Sequence, residues 1–161
     1  MIRLSRLADY GIVLTTQVAR HPDRRWNAPD LAAATGIPLP TTSKLLKMLV
    51  RAGVLVSHRG ARGGYGMSAA GRHVSVADVV EAVEGPIAIT SCLDPNGSDC
   101  GLDAVCLTRT YWNTINRAIR VALAAVSIEE MATAVPQAFM EGHAKDEPGR
   151  SQPRPAGQIS A

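Results

Sequence analysis

A chain of 161 residues with a net charge of +3 has the size of one domain plus appendages, long enough to bury a core of its own. No apolar run approaches the roughly 18 residues of a membrane span, which excludes a helical membrane protein as an expectation. The charge is unevenly placed: residues 1–73 hold eleven Lys/Arg against three acids, a balance of +8, and residues 74–161 hold six against eleven, a balance of −5.

A basic N-terminal half joined to an acidic C-terminal half points to a polyanion-binding module attached to something else; a basic surface without a partner is the plain alternative. The basic half opens on a helix. Ser5 is a good N-cap, and Leu7, Tyr10, Leu14 and Val18 recur at helical spacing until Pro22 forbids continuation near Arg20. Asn27 caps a second, short helix, with Asp30 favouring its positive end and Gly36 as the left-handed stop. Pro40 fits the first turn of a third helix, whose apolar face is Leu45, Leu46, Leu49 and Val50 and which Gly53 ends.

Two helices joined by a short Gly-containing turn suggest a helix-turn-helix, with an αα-hairpin inside a helical core as the alternative. In the first reading the third helix enters the major groove. Thr41, Thr42 and Ser43 then reach base edges or phosphates, while Lys44 and Lys47 neutralise phosphates. Two short strand-like runs follow, residues 54–58 and 65–68, around the tip Arg59-Gly60-Ala61-Arg62-Gly63-Gly64. Glycines permit a tight backbone there, and Arg59 and Arg62 can meet a phosphate or a narrow minor groove, which makes a β-wing. A phosphate-cradling enzyme loop requires a helix after its glycines, and here a strand follows. The fold class expected is mainly α with a small β-wing: a winged helix-turn-helix that binds double-stranded DNA.

Ser75-x-x-Asp78 starts a helix over residues 76–84, closed by Gly85-Pro86. All three cysteines fall in the next stretch, spaced C-x7-C-x5-C at Cys92, Cys100 and Cys106 among Pro95, Asn96, Gly97 and Gly101. An odd count argues against a closed set of disulfides, and the absence of a secretory signal leads us to expect a reducing, cytoplasmic setting. Three thiols on one loop can address a common centre, and soft thiolates select zinc, copper(I) or iron–sulfur clusters; three unrelated cysteines are the bland alternative. A helix of about 20 residues follows, with Trp112, Ile115, Ile119, Ala122, Leu123 and Val126 on one face. Lying outside the winged-helix core, that face requires a partner, and a second copy of the chain is the natural one, with folding back on its own domain as the alternative. Ser127-x-x-Glu130 caps a last short helix to about residue 134, and the rest reads as a disordered tail.

With these elements in place, the chain resembles the bacterial family of winged-helix iron–sulfur regulators that includes IscR, NsrR and RirA. The resemblance spans roughly residues 1–134 and rests on Arg3-Leu4-Ser5, Arg59-Gly60-x-x-Gly63-Gly64-Tyr65, residues 76–85, and the cysteines running into Cys106-Leu107-Thr108 with Trp112. Regulators of the SUF cluster-assembly operon look most similar, sharing the run from Leu4 to Tyr10, Pro38-Leu39-Pro40-Thr41, Leu45-Leu46-Lys47 and Glu84-Gly85-Pro86-Ile87. The resemblance implies a homodimer that holds an iron–sulfur cluster, 4Fe-4S in preference to 2Fe-2S, on Cys92, Cys100 and Cys106, and represses cluster-assembly genes.

IscR places a ligating histidine three residues after its third cysteine, where this chain has Arg109, which cannot coordinate a metal. Asp9 falls where NsrR-type members supply an aspartate from the opposite subunit, so the resemblance offers it as fourth ligand; water, a small thiol, Asp94, Asp99 or Asp103 are the other candidates. IscR also has an acid on the recognition helix where this chain has Ser43. The alternatives to a cluster sensor of SUF genes are a zinc-stabilised or cluster-free DNA-binding protein and a nitric-oxide- or iron-responsive regulator of the same family. A thiol enzyme lacks a base and pocket in this sequence, so neither an enzyme nor a small-molecule substrate is expected. The layout expected is a DNA-binding domain over 1–85, a cluster loop over 86–106, a dimerisation helix with a short capping helix over 107–134, and the tail over 135–161.

Overall fold

The computed structural model describes residues 3–60, 63–68, 73–95, 100–101 and 105–134. Helix α1 (Arg6–Ala19) starts where the Ser5 hydroxyl accepts from the Ala8 amide at 3.1 Å. Its inner face, with Ala8, Ile12, Leu14 and Val18, is buried. Helix α2 (Ala28–Thr35) is capped by Asn27, whose side chain accepts from the Asp30 amide at 2.7 Å, and stops at Gly36 with φ 70°. Helix α3 (Leu39–Arg51) drives Leu45, Leu46 and Leu49 into the core, all three fully buried. At about 1.5–3 kcal/mol per buried large apolar side chain, this row of α3 is a principal source of the domain's stability.

Strands β1 (Leu55–His58) and β2 (Gly64–Met67) pair antiparallel, Leu55 opposite Met67 and His58 opposite Gly64. Gly63 closes the wing by donating its amide to the Gly60 carbonyl at 2.9 Å. A Cβ on Gly63 would collide with the His58 carbonyl oxygen, so a residue without a side chain is required there. The wing has a third partner that the sequence pattern did not signal. Trp26 donates its amide to the Tyr65 carbonyl at 3.0 Å and accepts from the Tyr65 amide at 2.7 Å. One residue thereby ties the α1–α2 connection to the wing.

Helix α4 (Val76–Glu84) begins with the expected capping box between Ser75 and Asp78 and packs Val79 and Val80 into the core. It runs so close to α1 that a Cβ on Gly11 would lie 3.0 Å from Val83 and 3.3 Å from Val79. At its far end the Glu84 carboxylate accepts from the Ser5 amide at 3.1 Å, which fixes the start of α1 to the end of α4.

Helix α5 (Arg109–Ala124) has no buried residue and ends at Ala124, short of the expected 20 or so residues. Helix α6 (Ile128–Ala134) then returns to the core. The Ile128 amide donates to the Val74 carbonyl at 2.8 Å, the Val76 amide donates to the Val126 carbonyl at 2.9 Å, and Ile128 is fully buried where α6 packs on α1. Within the stretch 107–134, α5 thus has no buried residue, while α6 packs into the same core as α1 and α4. Among the described residues, six helices and a two-stranded wing bear out a mainly helical winged-helix fold. Among the described residues no helix is long and apolar enough to cross a membrane. The tail over 135–161 lies outside the described residues.

Candidate nucleic-acid interface and cysteine loop

Helix α3 divides its residues by face. Lys44 and Lys47 are exposed, and Thr41 and Ser43 are half-exposed beside them. Thr42 is different: it is fully buried and its hydroxyl donates to the Ile37 carbonyl at 3.2 Å. The expectation that Thr42 touches DNA is corrected on that ground, because residues 42, 45, 46 and 49 share one helical face and that face is the core. No side chain caps the first turn of α3, whose N-cap is Pro38. Its leading amides, with the positive end of the helix dipole, favour a nearby phosphate.

Arg59 is exposed at the end of β1. Arg62 lies outside the described residues. Beside the wing, the Arg24 guanidinium stacks 3.7 Å from the centre of the Trp26 ring and lies 3.5 Å from the Asp30 carboxylate. If α3 and the wing dock on a duplex, Lys44→Ala, Lys47→Ala and Arg59→Ala each weaken binding uniformly across sequences and lower the salt slope by about 1. Thr42→Val leaves the slope unchanged and instead costs about 1 kcal/mol of stability, the net worth of a hydrogen bond. Anisotropy titrations across a salt series separate the two behaviours; an unaltered slope in all three basic variants would remove these residues from the interface.

The cysteine loop leaves α4 through Gly85-Pro86 and returns at α5. Cys92 is half-buried inside a 3-10 turn (Ser91–Leu93), its sulfur 3.3 Å from the Thr90 hydroxyl. Cys106 is half-buried before the first turn of α5, its sulfur 3.3 Å from the Thr108 hydroxyl. Cys100 is half-buried as well, and none of the three is in a disulfide. Three half-buried thiols, two of them in contact with hydroxyls, fit a soft metal centre in chemistry, since hydrogen bonds to sulfur are one means of tuning a cluster. They supply three positions and leave one to another donor. Within a single chain, the described residues bring no three Cys, His, Asp or Glu side chains within reach of one ion. Asp9 is exposed on the first turn of α1 and is not gathered with the cysteines. Asp94 is exposed, and Asp99 and Asp103 lie outside the described residues.

Helix α5 presents two apolar faces. Trp112 and Ile115 are exposed on it, as is Val126 just past its end, and so is Tyr111, which the stripe read from sequence omitted. Ile119, expected on that stripe, is half-buried and with Leu123 lines a groove against Val80 and Ile87 of its own domain. Two polar side chains one turn apart fasten the same helix. Asn116 donates its amide to the Ile87 carbonyl at 2.8 Å and accepts from the Ile89 amide at 3.1 Å. Arg120 reaches both oxygens of Glu81 on α4, at 2.7 and 3.2 Å. The hydrogen bond to Glu81, followed by its charge, raises the Arg120 pKa above its ordinary value.

The model of the Rrf2 family, described as an iron-dependent transcriptional regulator, matches residues 4–134. Protein rrf2 of Nitratidesulfovibrio vulgaris is 33% identical over 119 residues, covering 73% of this chain and 79% of that protein. The HTH-type transcriptional regulator IscR of Vibrio parahaemolyticus is 27% identical over 133 residues, covering 82% of this chain and 78% of its own. Among solved structures, CymR, the global cysteine regulator of B. subtilis, superposes with a TM-score of 0.65 at 23% identity, covering 84% of this chain and all of CymR. IscR of T. potens superposes with a TM-score of 0.60 at 20% identity, covering 87% and 96%. At such identities the structural likeness establishes the fold.

Proposed function

Because this chain belongs to the Rrf2 family of transcription regulators, DNA-binding proteins rather than enzymes, we propose that it is a homodimeric regulator whose operator affinity is set by an iron–sulfur cluster. The observation that carries the reading is a single one. All three cysteines of the chain lie on one loop whose two ends are the helix that closes the winged domain, α4, and the exposed amphipathic helix, α5.

Cys92, Cys100 and Cys106 are the thiolates that hold the cluster, 4Fe-4S in preference to 2Fe-2S, and Asp9 from the opposite subunit is the fourth donor. A cluster bound there supplies a centre sensitive to iron, oxidants or nitric oxide. Thr90 and Thr108 orient the sulfurs of Cys92 and Cys106 by the contacts described above. Thr41, Ser43, Lys44, Lys47, Arg59 and Arg62 meet the DNA. Trp112, Ile115 and Val126, with Tyr111, bury against the partner's copy of the same face, and Ile119 contributes only its exposed edge. Such a two-fold dimer sets its recognition helices about 34–36 Å apart, one turn of DNA, and predicts a roughly palindromic footprint. The motifs shared with SUF-operon regulators, from Leu4 to Tyr10 and from Glu84 to Ile87, support repression of cluster-assembly genes as the role.

The rival is a zinc-stabilised protein. Structural zinc takes four protein ligands in a closed site, and one loop with three thiols leaves such a site incomplete. Metal and acid-labile sulfide analysis of protein purified without oxygen decides between the two. Iron with matching sulfide and a brown colour is the expected result; colourless protein with stoichiometric zinc would replace the cluster by a structural ion.

A further inference from the structure

We propose that Asn116 is a positioning residue that holds the mouth of the cysteine loop against α5 and so couples the loop to the DNA-binding domain. The segment leading into the loop has unusual needs. After α4 ends at Gly85, Pro86 brings no amide hydrogen, and residues 87–89 belong to no helix or strand while being half-buried. Half-buried backbone groups require partners. A carboxamide carries a donor and an acceptor side by side and can satisfy one carbonyl and one amide of a neighbouring backbone segment together. Asn116 makes this match with the Ile87 carbonyl at 2.8 Å and the Ile89 amide at 3.1 Å. A side chain on the helix that leaves the loop thus pairs with the backbone of the segment that begins it.

The position of Asn116 on α5 gives the pairing its consequence. It lies ten residues beyond Cys106 and about two turns into α5, and Ile89 stands three positions before Cys92. One turn further along α5, Arg120 grips Glu81, and Glu81 stands on the same helix as Glu84, whose carboxylate accepts from the Ser5 amide at the start of α1. A displacement of the loop ends therefore reaches α5, α4 and α1 through two adjacent side chains on one face of α5. While the carboxamide is in place it ties residues 87 and 89 to α5, the helix that begins three residues after Cys106.

The structural part of this inference is tested in apo protein, and its regulatory part rests on the cluster-sensing reading above. In apo protein, Asn116→Ala exposes the Ile89 amide to exchange about five- to tenfold faster, as expected for the loss of a hydrogen bond, and speeds alkylation of Cys92 by iodoacetamide. Asn116→Asp keeps the acceptor for the Ile89 amide and lacks the donor for the Ile87 carbonyl, so its exchange rate lies between. Asn113→Ala, on the exposed side of α5, changes neither rate. Wild-type exchange and alkylation in Asn116→Ala would overturn the positioning role, whether or not the protein carries a cluster. In anaerobically prepared protein, Asn116→Ala brings the ratio of operator affinities with and without cluster close to one, while the apo form still binds the duplex and its unfolding midpoint falls by no more than the loss of two hydrogen bonds explains; Asn116→Asp restores part of the ratio. A full wild-type ratio in Asn116→Ala would overturn the coupling. A wild type without iron and sulfide would instead defeat the cluster reading, leaving the apo rates to judge Asn116 alone.

Discussion

Replacing Cys92, Cys100 or Cys106 by alanine reduces iron and acid-labile sulfide in anaerobically reconstituted protein to background. The reason is the donor count. With three thiols in the chain, each variant leaves two, and neither the exposed Asp9 nor Arg109 replaces a soft ligand. Asp9→Ala behaves differently. A carboxylate is a hard donor on soft iron, so its loss leaves a cluster that forms, has an altered visible spectrum and decays faster in air. Asp9→Ala with the spectrum, lifetime and DNA response of wild type would remove it from the ligand set and pass the position to water, a small thiol or one of Asp94, Asp99 and Asp103. A cluster retained in full by any single cysteine variant would contradict the assignment of that cysteine.

Ile128→Ala destabilises the apo protein by about 2–5 kcal/mol, the range for truncating a fully buried aliphatic side chain. Its side chain sits where α6 packs on α1, and its amide completes the bridge to Val74. Val121→Ala, at an exposed position of α5, stays within about 0.5 kcal/mol of wild type. Urea unfolding at one fixed protomer concentration compares the two, since the proposed dimer would couple stability to concentration. Equal, small effects at both positions would mean that residues 127–134 are an appendage of α5 and not part of the winged-domain core. A large loss at Ile128 has a functional corollary: the end of α5 is anchored to α1, the helix that carries Asp9.

The helices were legible wherever a capping residue coincided with a change of periodicity. Ser5, Asn27, Ser75 and Ser127 each stand before an apolar pattern, and each accepts the amide hydrogen bond expected of a cap. Thr42 was misplaced because its residue type suggested a groove contact, although its spacing from Leu45, Leu46 and Leu49 already assigned it to the core face. Trp26 was not legible: a strand of one residue has no period, and its pairing with Tyr65 spans 39 residues. The return of α6 was hidden for a related reason. A seven-residue amphipathic helix declares that it packs, and the sequence pattern does not say against what. The cysteine loop shows the same division. The three thiols and their spacing are plain in the chain, whereas the hydrogen bonds at the loop's mouth join Asn116 to Ile87 and Ile89 at separations of 29 and 27 residues. Ile119 belongs to both cases: its period placed it on an apolar stripe, and only the fold turned it toward its own domain.

The most direct measurement is the affinity of the protein, with its cluster and after chelator treatment, for a duplex recovered from a random pool, both at one salt concentration without oxygen. Fixed salt is essential, because phosphate contacts alone change affinity by orders of magnitude across ordinary buffers. A regulator whose loop and DNA-binding domain are coupled shows a ratio of about 5- to 150-fold between the two forms, the usual span of allosteric coupling. Equal affinities of the two forms, with iron and sulfide demonstrably present in one and absent from the other, would contradict cluster sensing as the function of this chain.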